Sequence, residues 1–447
     1  MSEEERPRKG KPPIIRVPVE KIQPAIVVYR CDRCGGKFYH LNDFVRHCVK
    51  GETIIGGDFK EIKNIAPAEN VFGITGVTKV VAIYRRKYSG DMIRIKAAGM
   101  LPIELTPEHP ILVASSFNRR KRKLSEPYWK FPEEVIPKKW EKPGDYLIVP
   151  RLPGLYEIRE IDLFGKFITP RGLVNAKNRL GDVPPTSIPL TAEVAWLFGL
   201  YVAEGCANHG KVRICLGSHE KDTIDRTIDI LEAIGYRTKI EQQTNCSETI
   251  IKVHSYWLSN ALKEWFGERA ENKRVPDFIL LHKDYEIVSA FLDGYATGDG
   301  SYVRWKTRNR LGKSYECKRL DLQTTSIKLA LQLQLMYARL GILPMLTIVD
   351  KGGEGEILGR KCKFRTAYKL TISNGEHYKH YVVSERYIAT PVRSVERTVY
   401  NGVVYNLETE DNTYTVHNVI VHNCVLKHGI PPHLAWRMVQ KGWKEVR

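Results

Sequence analysis

No run of about 18 apolar residues occurs anywhere in the 447-residue chain, so the sequence offers no helical membrane span. Its first residues, Met1-Ser-Glu-Glu-Glu-Arg-Pro-Arg-Lys-Gly-Lys-Pro-Pro, lack the apolar stretch of a secretory leader. They read as a charged, disordered tail on a cytoplasmic protein. Cysteine is sparse: nine residues, an odd number, scattered except for Cys31 and Cys34. That pattern argues against a disulfide framework and leaves metal binding or catalysis as uses for the thiols. Acidic residues are outnumbered, 51 against 70 basic ones, for a formal net charge of +19. Such an excess favours a polyanionic partner, without separating DNA from RNA or acidic lipid.

What is present is an ordinary globular composition, 43% hydrophobic and 27% charged, long enough for about two to four domains. Residues 48–160 hold short β-rich runs between turns, among them Val80-Val-Ala-Ile-Tyr, Met92-Ile-Arg-Ile and Tyr146-Leu-Ile-Val. Residues 390–423 have the same character and are expected to complete the same all-β domain. Between them, 190–345 is helical and repeats itself. Leu197-Phe-Gly-Leu-Tyr-Val-Ala-Glu204-Gly205 is matched by Leu292-Asp-Gly-Tyr-Ala-Thr-Gly-Asp299-Gly300. Basic strands, a serine (Ser218, Ser326) and a helix closing on glycine follow each copy. Such a duplication predicts a pseudo-two-fold domain.

The borders of 48–423 carry chemistry. Removing that segment joins Cys31-Asp-Arg-Cys34 … His47 to Cys424-Val-Leu-Lys-His428, a C-x2-C-x12-H-x4-H string with Phe38 and Phe44 at its apolar positions. The spacing fits a zinc finger with Zn²⁺ on Cys31, Cys34, His47 and His428; His40 fits less well. Neither flank, 1–47 or 424–447, holds the whole finger. The joined flanks number 71 residues, a size at which a structural metal helps. The segment between them opens on Cys48 and closes on His422-Asn423, just before Cys424. A segment that removes itself accounts for all of this.

Three blocks carry a family likeness: Cys48-Val-Lys-Gly-Glu-Thr-Ile-Ile, Gly99-Met-Leu-Pro-Ile-Glu-Leu-Thr106-Pro-Glu-His109-Pro, and Val404-Tyr-Asn-Leu-Glu … Val419-Ile-Val-His422-Asn423-Cys424. Together they resemble an intein, a Hint-type protein-splicing domain. The resemblance implies that Cys48 attacks the carbonyl of His47 to form a thioester, with Thr106 and His109 supplying hydrogen bonding and proton transfer. Cys424 then takes over the acyl group, and Asn423 cyclises with help from His422. An S-to-N acyl shift leaves His47 bonded to Cys424, and no cofactor is required. Two positions depart from the family pattern, Asn406 in place of an aspartate and Asn412 where histidine is common. Asn406 has no acid–base chemistry.

The two L-x-G-x-x-x-x-[D/E]-G helices resemble the LAGLIDADG homing endonucleases over about 190–345. Small residues at Gly199, Ala203, Gly294 and Gly298 let two helices approach closely. The resemblance implies that Glu204 and Asp299 hold Mg²⁺ near scissile phosphates and that Lys273 stabilises charge or activates water. Arg304, Trp305, Lys306, Arg308, Arg310 and Lys313 read as a major-groove β-reader, and Arg119-Arg-Lys-Arg-Lys123 as an extension of it. The implied partner is double-stranded DNA of the uninterrupted host gene, cut by a pseudo-symmetric monomer. The expected architecture is multidomain α+β: an all-β splicing domain split by an α/β endonuclease domain, with small zinc-finger flanks. The alternative expectation is a splicing-only element with an inactive nuclease, leaving a zinc-finger module that binds nucleic acid or protein.

Overall fold

A computed structural model describes residues 48–118, 123–139, 143–163, 185–242, 247–308, 312, 314–357, 360–373 and 381–423, plus short strands at 29–30, 37–38, 168–169 and 172–173. Strands begin at once: β1 (Val49–Lys50), β2 (Gly76–Ala97), β3 (Ile103–Leu105), β4 (Ile111–Asn118) and β5 (Asp145–Pro150). Period-two alternation drives them, with Ile93, Ile95 and Ala97 buried on one side of β2 and charged residues on the other.

The chain then changes character. α1 (Ala192–Glu204) starts at Thr191, whose hydroxyl accepts from Val194 N, an N-cap that satisfies one orphan amide. β6 (Gly205–Asn208), β7 (Lys211–Gly217), α2 (Lys221–Ala233), β8 (Thr238–Gln242), β9 (Glu248–His254) and α3 (Tyr256–Phe266) complete the first half. After the short α4 (Asp277–Leu280), α5 (Tyr285–Asp299) opens a second half with β10 (Gly300–Arg308), β11 (Ser314–Thr324), α6 (Ile327–Arg339), β12 (Met345–Ile357) and β13 (Arg360–Ser373). The two sheets have the same antiparallel order, β6-β7-β9-β8 and β10-β11-β13-β12. The duplication expected from the sequence is thus a structural one.

The second copy runs to Ser373, past the boundary at 345 expected from the sequence. β12 and β13 are needed to finish the sheet that α6 covers, through buried Leu346, Leu370 and Ile372. The polar, glycine-containing end of β12 and the basic residues of β13 weaken their apolar signal. The paired serines also differ in role. Ser326 caps α6 by accepting from Leu329 N, whereas the Ser218 hydroxyl pairs with Thr249 and α2 has no side-chain cap.

β14 (Tyr387–Thr409), β15 (Thr413–Val416) and β16 (Val419–His422) return to the first sheet. β14 pairs with β5, with β2 along most of its length, and with β1 at Tyr405↔Val49. β16 pairs with β15 and meets β4 at Val421↔Ile111. Both ends of 48–423 therefore build one sheet around Val49, Ile95, Leu105, Val113, Val149, Leu407 and Val421. Among the described residues no helix is long and apolar enough to cross a membrane.

Candidate functional site

The chain carries two chemically distinct centres. The first lies where β1, β4 and β16 converge. Cys48 N donates to Thr106 Oγ1 at 2.9 Å, and Thr106 N donates to Cys48 O at 3.0 Å. A tight turn follows, with His109 N donating to Thr106 O at 3.0 Å. β16 lies alongside: His422 N donates to Pro110 O at 3.1 Å and Asn423 N to Asn412 O at 3.0 Å. His109 stands edge-on to Tyr414 (6.1 Å between centroids) and His422 edge-on to Trp129 (4.8 Å). Cys48, Thr106, His109, His422 and Asn423 are each at most 1% exposed. The fold thus gathers five of the six residues expected for splicing. Cys424 lies outside the described residues, as do Cys31, Cys34, His47 and His428.

Asn406, the departure from the expected aspartate, accepts from Tyr414 Oη at 3.1 Å and from Leu407 N at 3.0 Å. It holds Tyr414 against His109, which needs an acceptor and not an acid. Neither polar atom of the Asn423 side chain has a hydrogen-bond partner among the described residues. Its amide nitrogen is not tied up by a competing acceptor.

Burial pushes the Cys48 thiol up to about 12, with the Arg86 guanidinium acting against it and Glu108 adding to it. Burial drives His109 down to about 3, opposed by the Cys48 backbone and reinforced by His422. At neutral pH a protonated thiol therefore sits beside a neutral imidazole able to take its proton. Arg86, passed over in the run Arg85-Arg86-Lys87, is the group that favours the thiolate. Its signal was register: Arg86 pairs with Val404, which pairs with Lys50, two residues from Cys48.

The depressed His109 value has a stability consequence. Its contribution to folding is complete above the ordinary histidine value of 6.5 and is lost progressively as pH falls toward about 3. Urea unfolding from pH 7 to 3 is expected to show this loss, and a His109→Asn chain to show a shallower decline.

The second centre lies at the C-terminal ends of α1 and α5. A Cβ on Gly199 would fall 2.0 Å from Phe291 O, and one on Gly294 only 1.9 Å from Trp196 O. The helices touch backbone to backbone, which only glycine permits. A Cβ on Gly298 would lie 2.5 Å from Ala203 Cβ and 3.5 Å from Glu204 Oε1, so the Glu204 carboxylate lies over the residue preceding Asp299. Both acids line a cleft of ≈ 790 Å³ together with Arg213, Lys273, Tyr295, Gln323 and Thr325. Burial, then Asp299, raises Glu204. Burial raises Asp299 too, while a hydrogen bond from Tyr295 and the charge of Lys273 act against it. Tyr295 was not singled out from sequence; its position one helical turn before Asp299 was the available clue.

Lys273 Nζ donates to Gly205 O at 2.9 Å and to Tyr201 O at 3.4 Å, and stands 4.5 Å over the Tyr201 ring. Burial lowers it to about 8. The loop segment carrying Lys273 is clamped by α6: Ser326 Oγ donates to Lys273 O at 2.7 Å. Two neighbouring carboxylates in one cleft, the charge of Asp299 disfavouring ionisation of Glu204, fit a hard divalent cation, whose charge relieves the repulsion.

Strand alternation divides the basic residues of β10 and β11 between two faces. Gln323 lines the cleft, and Asp321 and Arg319 share its face of β11. Asp321 there meets Thr371 (2.8 Å), Arg319 (2.9 Å) and Lys369 (3.8 Å). On β10 this face holds Trp305, with the Arg319 guanidinium 6.0 Å from its ring. Arg304, Lys306 and Arg308 alternate onto the reverse face, shared with Leu320 and Leu322, and are exposed at the far end of the strand. Arg310 and Lys313 lie outside the described residues, as do Arg119 to Arg122. The first sheet adds a set missed from sequence: Lys211, Arg213, Lys239 and Lys252 share the face opposite buried Val212, Ile214, Ile251 and Val253.

A family profile described as a LAGLIDADG-like domain matches residues 191–267 and 286–383. The chain is also similar to the ATP-dependent DNA helicase Hel308 of Thermococcus kodakarensis, 28% identical over 81% of this chain and 35% of the helicase. An uncharacterized protein of Methanocaldococcus jannaschii is 25% identical over 88% of this chain and 52% of its own length. An iron-sulfur cluster assembly SufBD family protein of Mycobacterium tuberculosis is 25% identical over 87% and 44%. The chain thus spans 35% to 52% of the length of these relatives. Among solved structures, homing endonuclease I-DmoI in complex with DNA and Mn is 15% identical, covering 41% of this chain and 90% of that chain, with a TM-score of 0.27. I-LtrWI bound to target DNA is 11% identical over 41% and 79%, with a TM-score of 0.28. The pair of matched halves coincides with the two structural repeats, and the chain contains a LAGLIDADG-like domain.

Proposed function

We propose that the chain is a self-splicing precursor whose segment 48–423 excises itself, joins His47 to Cys424, and also cuts DNA at a specific site. The observation that carries the first activity is the convergence of Cys48 and Asn423, opposite ends of the segment, on one buried cluster with Thr106, His109 and His422. The relatives lend support of another kind. A helicase and an iron-sulfur assembly protein share no activity, yet each matches most of this chain over a minor part of its own length. A transferable insert has that property.

On this reading each residue has a step. His109 accepts the Sγ proton as Cys48 attacks the His47 carbonyl, and returns it to the Cys48 amide nitrogen as the C–N bond breaks. Thr106 Oγ1, already accepting from that N–H at 2.9 Å, keeps the leaving nitrogen aligned. Cys424 exchanges with the thioester. Asn423 Nδ2 then attacks its own carbonyl, expels the Cys424 amine and becomes a succinimide, with His422 assisting. The paired strands Tyr29–Arg30 and Lys37–Phe38 flank the segment containing Cys31 and Cys34. A hairpin there suits the cysteine arm of a Zn²⁺ finger that His47 and His428 complete after joining.

The same reading assigns Glu204 and Asp299 to a metal such as Mg²⁺, which would supply charge neutralisation at scissile phosphates and a nucleophilic water. Lys273 supplies positive charge when protonated and a proton acceptor when neutral, the switch falling at about 8. Tyr295 orients Asp299. Lys211, Arg213, Lys252, Arg319 and Lys369 line the two sheets that face a duplex.

The test is cleavage of a duplex carrying the host coding sequence with the segment removed, in Mg²⁺. The wild-type chain is expected to cut both strands, and Asp299→Asn to lower the rate about a thousandfold while binding persists. The rate is expected to rise with pH through about 8, and Lys273→Met to flatten that rise. Undiminished cutting by Asp299→Asn contradicts the assignment. Clean splicing with no cutting by the wild type supports the splicing-only alternative.

A further inference from the structure

One helix of the nuclease unit holds segments that lead to both centres. Gln332 and Gln334 are two residues apart on α6, so about 200° of helical turn separates their side chains. Both are buried, at 1% and 0% exposure, and a buried amide is costly unless it is hydrogen-bonded. Gln332 faces the nuclease: its Oε1 accepts from Val275 N at 2.8 Å and its Nε2 donates to Val275 O at 2.7 Å. With Ser326 on Lys273 O, this fixes the loop segment that presents Lys273 to the cleft.

Gln334 faces the splicing sheet. Its Nε2 donates to Gly99 O at 2.7 Å and to Pro344 O at 3.1 Å, while Leu346 N also donates to Gly99 O at 3.0 Å. Gly99, at φ +74°, turns the chain into β3 and so toward Thr106 and His109. Gln334 Oε1 accepts from Asn418 Nδ2 at 3.2 Å, and the same nitrogen donates to Leu331 O at 3.0 Å. Asn418 and His417, at φ +66° and +47°, form the two-residue turn between β15 and β16. That turn starts the strand ending in His422 and Asn423. His417 Nδ1 lies 2.9 Å from Pro102 O, tying the turn to the approach of β3 as well. The turns that lead into β3 and β16, and so toward the splicing residues, are thus pinned to one side chain of the nuclease unit.

We infer that Gln334 and Asn418 are positioning residues for splicing, bracing the β3 and β16 catalytic strands through α6, while Gln332 on the reverse face braces Lys273 for DNA cleavage. The inference rests on the splicing and cleavage functions proposed above. It makes the nuclease unit a structural part of the splicing centre and not a passenger within it. The device works because a misplacement of about 1 Å at a reacting atom is enough to cost up to a hundredfold in rate.

The test uses the full chain with Asn418→Gly, Gln334→Met and Gln332→Met. Glycine keeps the positive-φ turn and removes only the bracing amide; methionine keeps the volume and removes the polar atoms. Asn418→Gly is expected to slow release of residues 424–447 about tenfold. Thiol-induced cleavage at Cys48 and cutting of the insert-free duplex are expected to stay within about twofold. Gln334→Met slows both splicing steps and spares cutting, and Gln332→Met does the reverse. Thermal melts accompany each rate. A variant that merely destabilises the fold lowers every rate together, and that outcome for Asn418→Gly overturns the bracing. So does a wild type that ligates beside an Asn418→Gly chain that ligates equally fast. A wild type that never ligates overturns the splicing function itself, and the bracing with it.

Discussion

Replacing Cys48 with alanine is expected to abolish the ligated product, while replacing Asn423 with alanine stalls the chain at a different bond. The two outcomes differ because each residue makes one covalent step that no neighbour can supply. Without the Cys48 thiol there is no thioester, so the His47–Cys48 bond stays intact and Cys424 has nothing to attack. Asn423 can still cyclise slowly, releasing 424–447 alone. In Asn423→Ala the thioester still forms, so added thiol cuts before residue 48, and nothing is released at the C-terminal side. Each loss of ligation is expected to exceed about a thousandfold, the scale for removing a nucleophile. Cys48 is 1% exposed and alanine is smaller, so some stability is lost, about 1 kcal/mol on the scale of one deleted small group. That is far too little to explain the effect. Gel and mass measurements of the two variants side by side distinguish the pattern from a general failure to fold.

The second large effect is structural. Gly294→Val is expected to disrupt the nuclease unit, because even the first added carbon would stand 1.9 Å from Trp196 O. Backbone atoms on the facing helix cannot move aside as a flexible side chain does, and α1 must retreat from α5. Overpacking of this severity costs more than about 4 kcal/mol, in the range that unfolds marginal domains. Separating the helices also separates Glu204 from Asp299, so DNA cutting is expected to vanish. The damage is not confined to one unit. The core that holds α1 and α5 includes Phe59, Phe72 and Leu101 of the all-β unit, so splicing is expected to fall as well. A thermal melt checks this directly: a transition within a few degrees of wild type contradicts it.

The proposed borders of the segment stand out in the sequence because splicing chemistry dictates residue types. An N-terminal thiol, a histidine near it and an asparagine before a second thiol each answer a covalent step of the proposed reaction, and packing freedom does not disguise such residues. The paired glycines were legible for a related reason, since Gly199 and Gly294 answer a backbone contact that admits nothing else. Strand faces were harder. Arg304, Lys306 and Arg308 form an attractive basic run, but a strand sends alternate side chains to opposite sides, and only the register with Leu320 and Leu322 says which side meets the cleft. Lys211, Arg213 and Lys252 were overlooked because their strands are short and their basic residues are separated by apolar ones. β12 and β13 lacked apolar alternation strong enough to extend the domain past 345. Gln332 and Gln334 carry no signal of burial in the sequence, since glutamine is usually exposed. Their burial on opposite sides of α6 is a tertiary fact that no local pattern announces.

The central claim is that the segment bounded by Cys48 and Asn423 excises itself and joins its flanks. Intact mass spectrometry of the purified chain over time tests this most directly. The account predicts two products appearing together: the 71-residue joined flanks, and the segment 48–423 lighter by one water than its hydrolysed form, as a C-terminal succinimide requires. A chain that remains a single full-length species, or one that breaks at either border without ever yielding the joined product, contradicts it.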